Sequence, residues 1–330
     1  MPNKTSFSRP LFEIALALLF VITGLTPAVY AQPGENPAPG NMRFNWIHGS
    51  ISAKANTDVR IQVHRYNEST YILRQNPAIH WEAPFMYLVF GESTAVLLDV
   101  GATPEESYFP LRKTVDAIVH RWEKANEVES LKLMVLPLGS DASQTAALAQ
   151  FADRPDTEVY AIGSAMRETL AGEKSLDIGG RSLQILKTPG LDEHALSIYD
   201  PWTDFLYTGN AFYPGRLVIR DFDAYKSSLL ALLDLKERYP VKWVMGGRIE
   251  MSDYPGIDYR LRSNYRPREH ALQLDAALLD DAYNIVHLIN GARDIRIHDH
   301  FIVMHGVGRG ARAYGYPVYT PPEFRQVRLR

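Results

Sequence analysis

The chain has 330 residues, of which 46% are hydrophobic and 22% are charged, and its formal net charge is −3. A chain of this size can bury one large core or two modest ones, and so slightly acidic a balance favours neither a nucleic acid nor an anionic membrane as a partner. The sequence contains no cysteine, which excludes disulfide bonds and a thiol nucleophile.

The N-terminal residues have the pattern of a secretory signal peptide. Two basic residues precede an apolar run over residues 11–25, and Val29 and Ala31 are small residues at the two positions that a signal peptidase reads. We therefore predict that residues 1–31 are removed and that the mature chain is periplasmic or secreted. An uncleaved anchor is the alternative, but the apolar run is short for a bilayer and Glu13 lies inside it.

The residues after the signal peptide are predicted to form a flexible linker and then a β-meander. Residues 32–56 are assigned to the linker because residues 32–41 are rich in Pro, Gly and Asn and bury little apolar surface. β-Branched and aromatic residues then predict four strands. These strands cover residues 59–63, 70–73, 85–90 and 95–99. The meander opens a domain that we place at residues 57–262.

A helix is predicted to follow the meander from Thr103 onwards. Thr103 is a typical N-cap, Pro104 suits the first helical position, and Glu106 completes a capping box. The remaining elements of this domain alternate between the two types, with strands at 132–136, 157–162, 181–186, 195–199, 205–207 and 241–245 and helices at 143–151 and 223–238. This order predicts an α+β fold, a four-layer αββα sandwich in which two sheets pack together with helices on their outer faces.

Residues 263–330 are predicted to add a helix, a strand pair and a tail to the sandwich. The helix covers residues 275–290 and stops at Gly291. Its apolar side is assigned to Leu278, Ile285 and Leu288. The strands cover residues 295–298 and 301–304, and the tail from Gly306 is rich in Gly, Pro and Arg, a composition typical of a loosely ordered segment.

Four short segments occur in an informative order. An apolar run over 94–98 ends in Asp99-Val100-Gly101, and it is followed by Thr188-Pro189-Gly190, by residues 206–210 and by residues 244–248. This ordered set, which spans roughly residues 60–260, resembles the metallo-β-lactamase superfamily. The resemblance implies an αββα sandwich that carries one or two zinc ions at the edge between its sheets, where metal-bound hydroxide acts as the nucleophile.

The ligands that the resemblance implies for zinc are missing from this chain. No histidine occurs between Arg121 and Glu193, where a His-x-His-x-Asp-His loop is expected, and residues 136–144 offer only Asp141. The later ligand positions hold Leu191, Asn210 and Arg248. Leucine has no donor atom, neutral asparagine is a poor bridge between metals, and arginine does not lose its proton. A dinuclear zinc site is therefore not expected, and we predict no cofactor.

Arg248 leads to a more specific hypothesis. Its guanidinium would replace part of the lost positive charge by pairing with Asp141 or Asp99, with the amide of Asn210 in the same cleft. An exposed loop arginine is the alternative. His194 lies three residues past an expected ligand and is a further catalytic candidate, with a polar residue at the start of a strand as the simpler interpretation.

Other candidate cleft residues belong to segments similar to one hydrolase-like branch of the superfamily. Tyr66, Trp81 and Tyr213 are predicted to form an aromatic wall, with Arg216 as an anion hook and Glu250 beside it. Aromatic residues packed beneath loops are the alternative. A relocated metal site is also conceivable at the histidines of the C-terminal strand pair, although a polar surface strand explains them equally well. These histidines are His298, His300 and His305.

Two functions remain open at the level of sequence. The first is a metal-free binding protein or pseudoenzyme whose cleft recognises a small, acidic molecule or a partner protein. The second is a hydrolase of an ester, lactone or amide that uses a relocated metal or a metal-free set of residues. That set is Asp99, Asp141, His194 and Arg248. An enzyme needs a titratable group activated inside the cleft, whereas a binding protein needs only shape and hydrogen-bond donors.

Overall fold

The computed structural model describes residues 38–312 and the short strand Val318–Tyr319. The chain divides into residues 1–32, which lie outside the described range, and residues 33–330. The predicted signal peptide therefore lies outside the described residues and stays a prediction. Within the described part of the chain, no helix is long and apolar enough to cross a membrane.

Five helices separate runs of strands along the described chain. The strands are β1 (Ile61–Asn67), β2 (Thr70–Gln75), β3 (Phe85–Phe90), β4 (Thr94–Leu98), β5 (Lys132–Leu136), β6 (Thr157–Val159), β7 (Ser175–Asp177), β8 (Ser182–Lys187), β9 (Leu196–Asp200), β10 (Phe205–Gly209), β11 (Arg216–Ile219), β12 (Trp243–Gly246), β13 (Asp258–Tyr259), β14 (Gln273–Leu274), β15 (Asp294–Ile297), β16 (Ile302–His305) and β17 (Val318–Tyr319). The helices are α1 (Leu111–Asn126), α2 (Ala142–Thr145), α3 (Ala165–Gly172), α4 (Phe222–Arg238) and α5 (Leu278–Ile289).

Two six-stranded sheets organise these elements. The first has the order β1-β2-β3-β4-β5-β6, with antiparallel pairs up to β4 and parallel pairs from β4 to β6. The second has the order β14-β12-β10-β9-β8-β7, in which β10 and β12 run parallel. A smaller sheet, β11-β16-β15, includes the strand pair predicted at the C-terminal end.

Three hydrophobic clusters define the layers. The central cluster joins Val96 of the first sheet to Ile198 of the second, so the sheets pack face to face. A second cluster packs the buried residues of α1, including Val115, on the outer face of the first sheet. A third packs Leu229 of α4 and Val286 of α5 on the second sheet. The predicted α+β fold, a four-layer αββα sandwich, is confirmed.

The first helix begins later than its sequence pattern predicts. Helix α1 starts at Leu111, after Pro110, and not at Thr103. The hydroxyl of Thr103 accepts a hydrogen bond of 2.6 Å from the amide of Gln75, so it does not cap a helix. The predicted capping box is therefore wrong, because the hydroxyl of Thr103 is hydrogen-bonded to Gln75 and not to the start of a helix.

Helix α5 buries a different face from the one predicted. Leu288 was assigned to the apolar side, but 75% of its surface is exposed. The buried residues of the helix are Leu279, Ala282, Val286 and Ile289. This set has the same helical spacing as the predicted one but begins one residue later, which rotates the buried face by about 100°. The sequence analysis does not predict helix α3 or the short strands β7, β11, β13, β14 and β17.

The predicted flexible ends make specific contacts where the structure describes them. In the predicted linker, the amide of Ile47 donates to the side chain of Gln62 at 2.7 Å, and Gly49 forms a β-bridge with Tyr265. At the other end, Arg309 and Arg312 form ion pairs with buried carboxylates. The segment from Gly306 to Arg312 is therefore not a loose tail, because buried carboxylates hold it.

A buried arginine connects the two sheets. The side chains of Arg181, which precedes β8, and Asp200, at the end of β9, are both fully buried and form an ion pair. The other donors of the guanidinium reach the first sheet, at the backbone oxygens of Ser69 and Phe90, both at 2.9 Å, and the hydroxyl of Thr70. All five N–H groups of Arg181 thus have an acceptor.

We expect Arg181→Met to lower the free energy of unfolding by about 3–5 kcal/mol, because it leaves the carboxylate of Asp200 buried without its cation. Urea unfolding of the purified variant measures the loss. Arg238→Met is the matched control, since Arg238 pairs with Asp234 at a surface where both side chains are more than half exposed, and it should cost less than about 1 kcal/mol. Equal losses in the two variants would contradict the assignment.

Candidate functional site

A cleft lies where loops from both sheets meet. Strands β4 and β5 run parallel in the first sheet, as do β10 and β12 in the second, so the loops that follow each pair lie at the same edge. The cleft has a volume of about 360 Å³. Its walls are formed by Ser140, Asp141, Leu191, Asp192, Asn210, Tyr213, Arg216, Val218, Arg220, Arg248 and Arg309.

Glycine at the end of β12 allows Tyr213 to reach this cleft. A Cβ atom on Gly246 would lie 2.4 Å from the Cβ of Tyr213, closer than any side chain permits. The ring of Tyr213 is buried, and the guanidinium of Arg248 lies over it at 4.9 Å from the ring centroid. The predicted Tyr213 is thus part of the cleft wall, and its ring supports an arginine.

A chain of amides forms the deepest part of the site. Asp99 accepts hydrogen bonds from the backbone amide of Leu138 at 2.7 Å and from the side-chain amide of Gln144 at 3.1 and 3.2 Å. The oxygen of Gln144 in turn accepts from Asn210 at 3.0 Å, and the same Asn210 nitrogen lies 3.2 Å from the hydroxyl of Ser143. These contacts orient both amides and leave the side-chain oxygen of Asn210 without a partner among the described residues.

Arg248 lies in the interior and contacts two carboxylates. Its guanidinium donates to Glu82 at 2.5 Å and lies 3.9 Å from Asp141 and 3.5 Å from the hydroxyl of Ser143. The predicted contact with Asp141 is present, but the shorter ion pair is with Glu82, which sequence reasoning did not identify as the partner. No described ion pair joins Arg248 to Asp99, the other carboxylate proposed from sequence.

The same carboxylates connect Arg248 to a longer network. Glu82 also accepts from Arg309 at 2.7 Å, and Arg309 forms a second ion pair with Glu250. Glu250 lies 3.4 Å from Arg216, which also pairs with Asp258. Burial alone would raise the pKa of Glu250, but Arg309, Arg216 and Arg248 together lower that pKa to about 2. Glu250 is therefore a permanent anion within the network.

The cleft presents more positive than negative charge. Four arginines line it, against the carboxylates Asp141 and Asp192. Asp192 is already occupied, since its oxygens accept from the amide and hydroxyl of Ser140 and from the amide of His194. Glu82 and Glu250, which pair with Arg248, Arg309 and Arg216, do not line the cavity, whereas Asp141, which lies 3.9 Å from Arg248, does. Arg220 is exposed and forms no ion pair within the described residues.

These residues do not fit a zinc ion. At the positions where the resemblance implies ligands, Gln144 and Asn210 direct N–H donors towards Asp99 and Gln144, and Arg248 supplies a permanent cation. In residues 38–312, no three His, Asp or Glu side chains come together to hold a metal.

The C-terminal histidines have separate partners. His298 lies 3.6 Å from Asp281, a ring nitrogen of His300 lies 2.8 Å from His270, and a ring nitrogen of His305 lies 2.8 Å from the backbone oxygen of Ala292.

The remaining predicted residues lie outside the cleft wall. Tyr66 is in the central core, with its ring 4.7 Å from that of Phe205, and the ring of Trp81 supports Arg309 at 5.1 Å. His194 is half-buried and lies 3.3 Å from the exposed carboxylate of Glu193.

Sequence reasoning missed several residues that the structure places in the wall. They are Ser140, Asp192, Val218, Arg220 and Arg309. Ser140 and Asp192 could have been identified from the sequence, because Ser140 precedes the candidate Asp141 and Asp192 follows Leu191, an expected ligand position. Arg309 lay in the segment that was interpreted as a tail.

The chain matches no protein-family model and no curated protein. Among solved structures it is similar to a metallo-β-lactamase from Pontibacter korlensis, at 16% identity and a TM-score of 0.46 over 69% of this chain and 99% of that chain. It is also similar to an archaeal metallo-β-lactamase superfamily protein from Sulfolobus tokodaii, at 15% identity and a TM-score of 0.43 over 73% of this chain and 91% of that chain. A third similar structure is FIM-1 from Pseudomonas aeruginosa in its mono-zinc form, at 11% identity and a TM-score of 0.46 over 71% of this chain and 97% of that chain. These three structures belong to the metallo-β-lactamase superfamily, and their similarity to this chain concerns the fold alone.

The buried carboxyl of Asp99 has an unusual protonation equilibrium. Burial raises its pKa to about 7, and the hydrogen bonds from Leu138 and Gln144 and the charge of Arg167 only partly oppose this effect. The charge of Asp141 raises the pKa slightly further. Protonation of Asp99 therefore stabilises the folded state relative to the unfolded state.

We expect Asp99→Asn to flatten the pH dependence of the unfolding free energy between about pH 4 and 7. Because the folded pKa is about 7 and an unfolded aspartate titrates near about 3.9, this group stabilises the folded state at low pH, and its contribution is lost as the pH rises to about 7, by up to about 1.4 kcal/mol per pH unit. Asparagine tolerates the backbone φ of 63° at this position. Urea unfolding at a series of pH values measures the difference from the wild type.

The control is Asp156→Asn, an exposed position with a φ of 48°. Its curve should run parallel to that of the wild type. A wild-type curve that also runs parallel to that of Asp99→Asn would contradict a raised pKa for Asp99.

Proposed function

We propose that this chain is an exported, metal-free binding protein that takes a small anionic molecule in the cleft, on a fold inherited from hydrolases. The observation that carries the proposal is the set of four arginines that line a cavity of about 360 Å³, whereas only two carboxylates, Asp141 and Asp192, line it. A cavity of this volume suits a small molecule. Export rests on the predicted signal peptide.

The chemistry of the wall favours a carboxylate ligand. Guanidinium groups bind carboxylates through two parallel hydrogen bonds, and the buried ion pairs of Arg216, Arg248 and Arg309 hold these groups in place before a ligand arrives. Leu191 and Val218 add apolar surface to the wall.

The hydrolase alternative has less support from the arrangement of titratable groups. His194, its candidate base, does not line the cleft, and the oxygens of Asp192 are used by hydrogen bonds. Asp141 caps α2 by accepting from the amide and hydroxyl of Ser143. Asp99 has the pKa that a general base needs, but it lies beneath Gln144 and outside the wall. A binding function requires none of these groups to lose a proton.

We expect succinate or citrate, compared with chloride at equal ionic strength, to raise the melting temperature of the wild type in a saturable way. Arg220→Gln should weaken this binding roughly tenfold, because it removes an exposed guanidinium from the wall without breaking a described ion pair. Thermal unfolding and isothermal titration calorimetry measure the two quantities.

The matched control is Arg65→Gln, which removes an exposed arginine on β1 that does not line this cleft. It should bind the carboxylates as the wild type does. The absence of carboxylate binding to the wild type, or equal losses in both variants, would contradict an anion site in the cleft.

We expect the purified mature chain to retain less than about a tenth of an equivalent of zinc after incubation with excess zinc and desalting, because the residues at the ligand positions are donors or a cation. Plasma mass spectrometry measures the metal content. One or two retained equivalents would contradict the metal-free proposal, and mutation of His194, His298, His300 and His305 would then locate the ligands.

A further inference from the structure

A second cavity lies on another side of the same arginines. Its volume is about 240 Å³. It is lined by Arg216, Arg260, Leu261, Arg309, Gly310 and Arg312. This wall contains four guanidinium groups and no carboxylate.

Three of these arginines are held in place by carboxylates outside the wall. Arg312 donates to Asp258 at 2.7 Å, and the other oxygen of Asp258 pairs with Arg216. Arg309 is held by its ion pairs with Glu82 and Glu250. Because these partners fix the guanidinium groups, an anion that enters the cavity does not have to order them.

Arg260 differs from the other three. It is exposed and forms no ion pair among the residues that the structure describes, so its charge is available to a ligand. The network around both cavities then has an excess of positive charge. Six arginines face five carboxylates when the walls of both cavities and their ion-pair partners are counted: Arg216, Arg220, Arg248, Arg260, Arg309 and Arg312 against Asp141, Asp192, Glu82, Glu250 and Asp258.

We propose that this second cavity binds the phosphate group of inorganic phosphate or of a phosphomonoester. A phosphate group carries nearly two negative charges at neutral pH and offers three terminal oxygens, so it can accept from several guanidinium groups at once. A carboxylate, with one charge and two oxygens, suits the first cleft, where Asp141 and Asp192 offset part of the positive charge, but it matches only part of a wall that has four arginines and no carboxylate. The small volume suits the group itself and leaves the rest of a larger ligand outside.

This site is distinct from the carboxylate site proposed above. The two cavities share Arg216 and Arg309, but Arg260 and Arg312 line only the second, and Arg220 and Arg248 line only the first. One exposed arginine is therefore specific to each cavity. Arg260 and Arg220 provide matched variants with the same change of charge.

The test is isothermal titration calorimetry of the full mature chain with inorganic phosphate, at constant ionic strength. Arg260→Gln should weaken phosphate binding roughly tenfold, the effect of one lost charge-assisted hydrogen bond, whereas Arg220→Gln should leave phosphate affinity within about twofold of the wild type. Circular dichroism and the melting temperature without phosphate check that each variant is folded.

Two results would overturn the proposal. One is a wild-type chain that binds no phosphate. The other is a loss of phosphate affinity in Arg220→Gln that equals or exceeds the loss in Arg260→Gln, which would place the phosphate in the first cleft. In that second case the proposed function survives, because its own test uses carboxylates.

Two further probes distinguish the source of the phosphate group. Glycerol 3-phosphate presents it on a small soluble molecule, and vesicles of phosphatidylcholine with phosphatidic acid present it on a lipid surface. If the chain floats with these vesicles and Arg260→Gln abolishes the flotation, the phosphate group belongs to a lipid headgroup. Binding of glycerol 3-phosphate without flotation would indicate a soluble phosphomonoester.

Discussion

Burial of guanidinium groups is the constraint on which this end of the sandwich depends. In this network the buried arginines are paired with carboxylates, and removing either partner leaves a charge that water cannot reach. Glu82 therefore holds both Arg248 and Arg309, and Glu250 holds Arg309 and Arg216. These shared carboxylates connect the loop before β3, the loop after β12, strand β11 and the C-terminal segment into one unit.

The same constraint operates at the positions where the sequence resemblance implies metal ligands. A metal site gathers carboxylates and imidazoles around a cation, whereas here an arginine supplies the positive charge and amides supply the donors. Asp99 is satisfied by Leu138 and Gln144, and Gln144 in turn orients Asn210. Glu82 and Glu250 are used within the protein, and of the arginines that line the cleft only Arg220 forms no ion pair among the described residues. This arrangement favours an anionic ligand over the activation of water.

The local sequence pattern predicted most helices and strands correctly. It failed where a contact with a residue distant in sequence determines what a side chain does. The capping box at Thr103 was wrong because Gln75 donates to the hydroxyl of Thr103, and the face of α5 was misassigned because Leu288 has no sheet above it. The composition of the last segment indicated a tail, but Arg309 is held by carboxylates that lie far away in sequence.

Most strands and helices and the α+β sandwich followed from the sequence alone, because periodicity is a local property. The missing zinc ligands and the candidate status of Asp99, Asp141, Asn210 and Arg248 followed from the resemblance of short segments to the metallo-β-lactamase superfamily. The pairing of Arg248 with Glu82 and the recruitment of Arg309 were decided only by the tertiary structure. Those contacts join residues 166 and 227 positions apart, and no local pattern specifies which buried carboxylate a distant guanidinium will find.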